Sequence, residues 1–224
     1  FMGREPFSTG VRGKAMVVSI DKATAIRMYD KVQACWQEKL VKLKAQLPNT
    51  TGSALNKLHD DIAYMETTDM AVVVSGGQGD YAAMEKKGLD YKVHRERMVR
   101  DKLDDKFKAE DDTLRIVFLC AMWLTGFDAP CVSTLYLDKP LKQHTLMQTI
   151  ARANRVYPGK TCGQVVDYIN IFGALQFALG VYGGAKVGRV KEGEAIDSPA
   201  TNKGTLRAEL ERAVFTTERW LAQN

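Results

Sequence analysis

The sequence lacks the common fingerprints for holding a phosphate or a metal. There is no G-x-x-x-x-G-K-[ST], and no G-x-G-x-x-G followed by an acidic partner, so neither familiar phosphate loop is present. Its three histidines, His94 among them, have no spaced partners. Its four cysteines, Cys35, Cys120, Cys131 and Cys162, show no C-x-x-C, and no metal pattern emerges. Three of the four lie in or beside apolar strand-like segments, which reads as reduced core thiols of a cytoplasmic protein. No apolar run nears the roughly 20 residues of a membrane-spanning helix, and no signal peptide is visible.

What is present is an ordinary globular composition. The 224 residues are 45% hydrophobic and 26% charged, enough for one domain with a sizeable core plus appendages. A formal charge of +5 and an isoelectric point near 8.9 permit a polyanionic partner without requiring one. The opening FMGREPFSTGVRG reads as a leader or a cut into a longer chain, and ERWLAQN stops inside an expected helix.

Taken in order, Ala15–Ile20 reads as a buried strand. Asp21 is a good cap for a helix over Lys22–Gln46, whose Ala25, Met28, Tyr29, Val32, Trp36, Leu40 and Leu43 recur at helical spacing. Pro48–Gly52 breaks it, and a second helix follows over Ser53–Glu66. Met70–Ser75 is a second strand, with a flexible turn at Gly76–Asp80. Tyr81–Asp112 carries many charges of both signs and reads as a solvated helical connector. Leu114–Cys120, Val132–Leu137 and Thr161–Tyr168 supply three further strands. Ile169–Val181 reads as a covering helix, 182–204 as a glycine-rich linker, and Thr205–Gln223 as an amphipathic helix. Strands alternating with helices imply a mostly parallel, helix-covered α/β sheet.

The stretch from Leu114 to Asp167 carries the chemistry. An apolar strand runs into Thr125-Gly126-Phe127-Asp128, and such a strand-ending turn is where open α/β sheets build ligand sites. A helix expected over Gln143–Arg155 then places Gln148, Arg152 and Arg155 within about 60° of one another. Leu146, Ile150 and Ala153 lie opposite, so two guanidiniums and an amide share a polar stripe on a helix docked by its other face. A plain solvated face accounts for the same stripe, and both readings stand at this point.

The order of these parts resembles motifs V and VI of the superfamily 2 helicases, in their second RecA-like lobe. Through MWLTGFDAP, LYLDKPL and QTIARANR the chain is more closely similar to the motor (restriction) subunit of type I restriction–modification enzymes. The resemblance implies a RecA-like, three-layer α/β lobe over 14–181, a linker over 182–204 and the start of a helical region over 205–224. It implies Arg155 as the arginine finger, Arg152 beside it on the γ-phosphate, and Gln148 fixing water or the arginines. Gly126 would permit close backbone approach, and Asp128 would accept from a ribose hydroxyl. Ser19 and Lys22, at a strand exit matching motif IV, and Thr125 would touch DNA, along a track that the glycine turn at 76–79 would line. Cys120 stands where the broad pattern often has Thr, and Ala151 where it has Gly.

Neither a Walker A loop nor a DEAD-like tetrad nor a recognisable nuclease motif occurs. On the resemblance, ATP and Mg²⁺ would therefore be held mainly by a first lobe, and this chain alone would be inactive. Its partners would be double-stranded DNA, that lobe and a nuclease domain, and the modification and specificity subunits of a type I complex. Two rivals remain: another superfamily 2 helicase or remodeler, and a non-motor α/β binding module.

Overall fold

A computed structural model describes residues 13–141, 143–171 and 173. The chain divides into two units, Phe1–Ile171 and Phe172–Asn224, and the sheet lies wholly in the first. The expected covering helix, linker and C-terminal helix fall almost wholly outside the described residues, as does the leader.

Strand β1 (Lys14–Ser19) leads into the 25-residue helix α1 (Lys22–Gln46), whose cap Asp21 accepts from the Thr24 amide at 2.7 Å. After a 3₁₀ turn containing Pro48 come α2 (Ser53–Thr67) and β2 (Asp69–Val73). Three short helices follow, α3 (Asp80–Glu85), α4 (Tyr91–Arg100) and α5 (Leu103–Lys108). Then come β3 (Leu114–Leu119), β4 (Val132–Asp138), α6 (Gln143–Ala153) and β5 (Gln164–Asp167). All five strands pair in parallel, in the order β2-β3-β1-β4-β5. The α/β expectation holds, with the strands close to where the apolar runs put them.

Parallel sheets are stable when both faces are covered. Ala15, Val17, Met70, Val72, Ile116 and Phe118 form one face with Ala23 and Ile26 of α1, Met84 and Tyr91. Alternation sends Met16, Val18, Ala71, Val73, Val117 and Leu119 to the other face, and all of these are buried too. Helix α5 packs against β3, and α6 against β4 and β5. A smaller core joins Leu40 and Leu43 of α1 to Leu58, Ile62 and Met65 of α2. There Trp36 donates from Nε1 to the Met65 carbonyl at 3.0 Å. No helix among the described residues is long and apolar enough to cross a membrane.

The structure corrects three expectations. The charged middle is not a solvated connector, because Tyr91, Leu103 and Phe107 are fully buried. Its cations anchor it: Arg97 donates to the Met70 carbonyl and pairs with Asp69, and Arg95 donates to the Val74 carbonyl. The glycine turn is tied at both ends. Lys22 donates to the Ser75 carbonyl and pairs with Asp80 at 2.5 Å, and the Tyr91 hydroxyl donates to the same carbonyl at 2.7 Å. Helix α6 stops at Ala153, two residues short of Arg155. Val156 and Tyr157 precede Pro158, which disfavours helix before it. The Gly163 backbone also passes so close to the Ala153 carbonyl that a Cβ there would lie 2.3 Å from its oxygen.

Two consequences are measurable. Phe107→Ala empties a site beneath two other rings and is expected to cost about 3–5 kcal/mol in urea unfolding. Val99→Ala, at a side chain 69% exposed on α4, should change stability by less than about 0.5 kcal/mol. The second concerns alkaline pH. Burial and then the Asp80 carboxylate push the Tyr91 phenol up to about 12. An unfolded tyrosine ionises near about 10, so the unfolded chain loses this proton first. Stability should therefore fall as pH rises above that value and level off past about 12. Tyr91→Phe should reduce that slope, read as urea midpoint against pH. It should not abolish it, because Tyr157 is also held up to about 12.

Candidate functional site

The site is built on the turn that follows β3. Between Leu119 and Val132 the chain makes a folded excursion, closed by Leu124 N–H to Ala121 O at 3.1 Å and Val132 N–H to Ala129 O at 3.1 Å. Trp123 and Phe127 point inward and stack with centroids 4.1 Å apart and planes 5° from parallel. Phe107 of α5 lies against both. Around these rings Thr125, Gly126 and Asp128 are exposed. Gly126 has φ +70°, a left-handed conformation that glycine adopts without strain. The turn is thus apolar beneath and polar above.

Helix α6 brings the cations. Leu146, Thr149 and Ala153 are buried on its inner face, which turns Arg152 towards the excursion. Arg152 is half-buried and donates from Nε to the Leu124 carbonyl at 3.0 Å. Burial pushes its pKa down, the neighbouring Arg155 adds to the effect, and Asp128 opposes it. Arg155 lies beyond the helix end, and its Nη1 is 3.5 Å from Asp128 Oδ1, with both side chains more than half exposed. An ion pair this open to water contributes little to stability, so its charges remain available. Gln148 sits one turn before Arg152 on α6 and shares a 2.9 Å hydrogen bond with His144 Nε2.

Of the expected site residues, Gly126, Asp128, Arg152 and Arg155 therefore converge, with Thr125 on the same turn. The helical stripe through Arg155 does not exist as drawn from the sequence. Arg155 reaches the turn from beyond the helix end instead. Ser19 and Lys22 lie at the C-terminal end of β1, on the same edge of the sheet as the turn and between the ends of β3 and β4. Ser19 is fully buried and its Oγ has no partner among the described residues, so the phosphate contact expected of it is not presented to solvent. Lys22 is engaged by Asp80 and Ser75. The expectation of core thiols needs a correction as well: Cys120 and Cys131 are buried and Cys162 is exposed. Burial pushes both buried thiols up, which keeps them protonated.

Sequence reasoning missed three participants. Leu124 contributes only a backbone carbonyl, which leaves no trace in a side-chain pattern. Lys139 donates to the Cys120 carbonyl at 2.6 Å and so ties the exit of β4 to that of β3; the Asp138-Lys139-Pro140 wording was its signal. Trp123 stood within the MWLTGFDAP stretch with no role of its own. Among the described residues no group of three or more His, Cys, Asp or Glu could hold a metal ion.

The family described as type I restriction enzyme subunit R domain 3 (T1R_D3-like) matches residues 11–170, well over half of the chain. The MjaIXP type I restriction enzyme endonuclease subunit of Methanocaldococcus jannaschii is 34% identical over 171 residues, covering 76% of this chain and 13% of that protein. The HindI endonuclease subunit of Haemophilus influenzae is 40% identical over 114 residues, covering 50% of this chain and 10% of that protein. The matched segments thus take up 13% or less of the length of these relatives. A solved fragment of an HsdR subunit of a type I restriction enzyme from Vibrio vulnificus aligns at 17% identity with a TM-score of 0.45, covering 75% of this chain and 25% of that one. With its matched segment taking in the whole sheet, the exposed Gly126–Asp128 turn and both arginines, the chain belongs to the type I restriction enzyme subunit R domain 3-like family.

Proposed function

We propose that this chain is the second RecA-like lobe of an ATP-dependent double-stranded DNA translocase, the motor of a type I restriction endonuclease, and that it supplies the arginine half of an ATP site. The observation that carries the reading is the meeting of Arg152 and Arg155 with the exposed Gly126–Asp128 turn at one edge of a parallel sheet. Asp128 offers an open carboxylate to a ribose hydroxyl, and Arg155 an open guanidinium to phosphate oxygens. Bound ATP would supply the γ-phosphoryl group whose transfer spreads negative charge over its oxygens. Arg155 stays charged and presents a planar fork of donors, so it suits stabilising that charge when two lobes close. Arg152, with Nε given to Leu124, keeps its remaining nitrogens for the same phosphate, and Gln148 orders water or the arginines. Thr125, exposed on the turn, is the residue kept for the DNA track. In this reading Mg²⁺ and the phosphate loop belong with a first lobe, because such motors hold both with Walker A and Walker B elements. The modification and specificity subunits complete the proposed assembly.

The test is Arg155→Ala in the full-length subunit. The turnover number for DNA-stimulated ATP hydrolysis should fall by roughly 10³–10⁵ while ATP affinity changes little. Arg155→Lys should restore little of it, because a point ammonium does not reproduce the fork. The thermal midpoint should be unchanged, since the side chain is more than half exposed. Normal turnover would remove Arg155 from the mechanism. The 224-residue chain by itself should turn over no ATP; hydrolysis by a preparation free of contaminating ATPases would contradict the two-lobe reading.

A further inference from the structure

The excursion after β3 has a feature that the proposed ATP chemistry does not use. Trp123 has φ +69°, and for a bulky side chain the left-handed region is an outlier that surrounding structure must enforce. Here the enforcing partner is visible. The indole lies 4.1 Å from Phe127 and nearly parallel to it, with Phe107 packed at 5.7 Å from Trp123 and 6.3 Å from Phe127. Lys108 sits 5.1 Å over the Phe127 ring and Lys14 5.5 Å over Phe107. Trp123 and Phe127 are therefore two feet planted together on an aromatic base, and the three residues between them arch away. That arch carries the Leu124 carbonyl, which accepts from Arg152 at 3.0 Å. Its far side leads directly into Asp128, which faces Arg155.

We infer that Trp123 is a positioning residue: its stack on Phe127 closes the Leu124–Gly126 arch like a clasp and fixes the Leu124 carbonyl and Asp128 relative to Arg152 and Arg155. The arch does not hold its own shape, since among the described residues its one backbone hydrogen bond, Leu124 N–H on Ala121 O, runs to a residue outside it. A left-handed Trp123 turns the chain so that both rings meet face to face. Without that contact, the arch is free to move relative to α6, and Arg152 loses a fixed acceptor. The functional part of this inference rests on the proposed ATP site; the clasp itself does not.

The experiment therefore has two arms. In the 224-residue chain, Trp123→Leu keeps apolar bulk but removes the flat ring, and Trp123→Phe keeps a ring. Amide hydrogen exchange at Leu124 and Val132 should speed up about tenfold in the Leu variant and stay within about threefold of the unaltered chain in the Phe variant. Amides of β1 and β3 should hold their protection. Unchanged exchange at Leu124 in Trp123→Leu overturns the clasp. Equally faster exchange throughout the sheet also overturns it, by reducing Trp123 to a general core residue. In the full-length subunit, Trp123→Leu should lower the turnover number of DNA-stimulated ATP hydrolysis about tenfold at little change in KM, with Trp123→Phe restoring most of it. Combined with Arg152→Lys, the loss should be less than the product of the single losses, because both act through one contact. Full turnover by Trp123→Leu, or strictly multiplicative losses, overturns the positioning role even where the exchange result stands. A full-length subunit that turns over no ATP before any substitution overturns the lobe reading instead, and leaves the exchange arm to decide the clasp.

Discussion

The structure depends on cations that satisfy backbone carbonyls. Where a parallel strand ends or a short helix stops, its carbonyls have no ladder partner, and burying them unpaired is unfavourable. In this chain lysines and arginines from distant positions supply the missing donors. Lys14 reaches the carbonyls of Lys106 and Ala109 at the end of α5. Lys22 serves Ser75, Lys139 serves Cys120, and Lys160 serves Pro130 and Val132. Arg95, Arg97 and Arg152 do the same for Val74, Met70 and Leu124. Arg115 adds the Tyr64 carbonyl while lying over the Tyr64 ring. A side chain long enough to bury its stem and still place its head at a carbonyl is well suited to this.

That pattern changes how the basic balance of the sequence is understood. A surplus of cations invites a polyanionic partner, yet many of these residues are committed to the fold. Burial pushes the Lys14 and Lys160 ammoniums down from their ordinary range, as expected where the neighbours are neutral carbonyls more than carboxylates. Arg155 differs from them, because it meets an exposed carboxylate at 3.5 Å while more than half of its side chain stays in water. The contrast between an engaged Arg152 and an open Arg155, three residues apart, separates a guanidinium that helps shape the site from one that faces outward from it.

Much of the architecture was legible in the sequence because it follows from local pattern. The apolar runs at 15–20, 70–75 and 114–120 marked strands, and the spacing from Ala25 to Leu43 marked α1. The juxtaposition of Gly126–Asp128 with the two arginines was legible too, from the order strand, turn, strand, helix. Three things were not, each because the deciding partner is distant in sequence. Ser19 looked like a surface hydroxyl, but the crowding of β1 between β3 and β4 buries it. Tyr81–Asp112 looked solvated, because a charge whose partner is a carbonyl 20 or more residues away is indistinguishable in sequence from one facing water. Arg155 looked helical because the periodicity continues past Ala153, while the backbone of Gly163 that helps close the helix end arrives from the approach to the next strand.

The position of β1 has a further consequence, for the order in which the fold assembles. It is the first strand made and the middle strand of the sheet, and both of its neighbours, β3 and β4, come from the second half of the described unit. The hydroxyl of Ser133 reaches the Lys14 carbonyl across 119 residues of chain. Helices α1 and α2 can pair as soon as they are made, since their contacts are local, but β1 has no neighbour until roughly a hundred residues have followed. Such long loops close slowly, and an unpaired apolar strand is open to wrong partners in the meantime. During synthesis, then, the strand that emerges earliest of the five waits longest for its neighbours, and only α6 and the edge strand β5 follow once they have arrived.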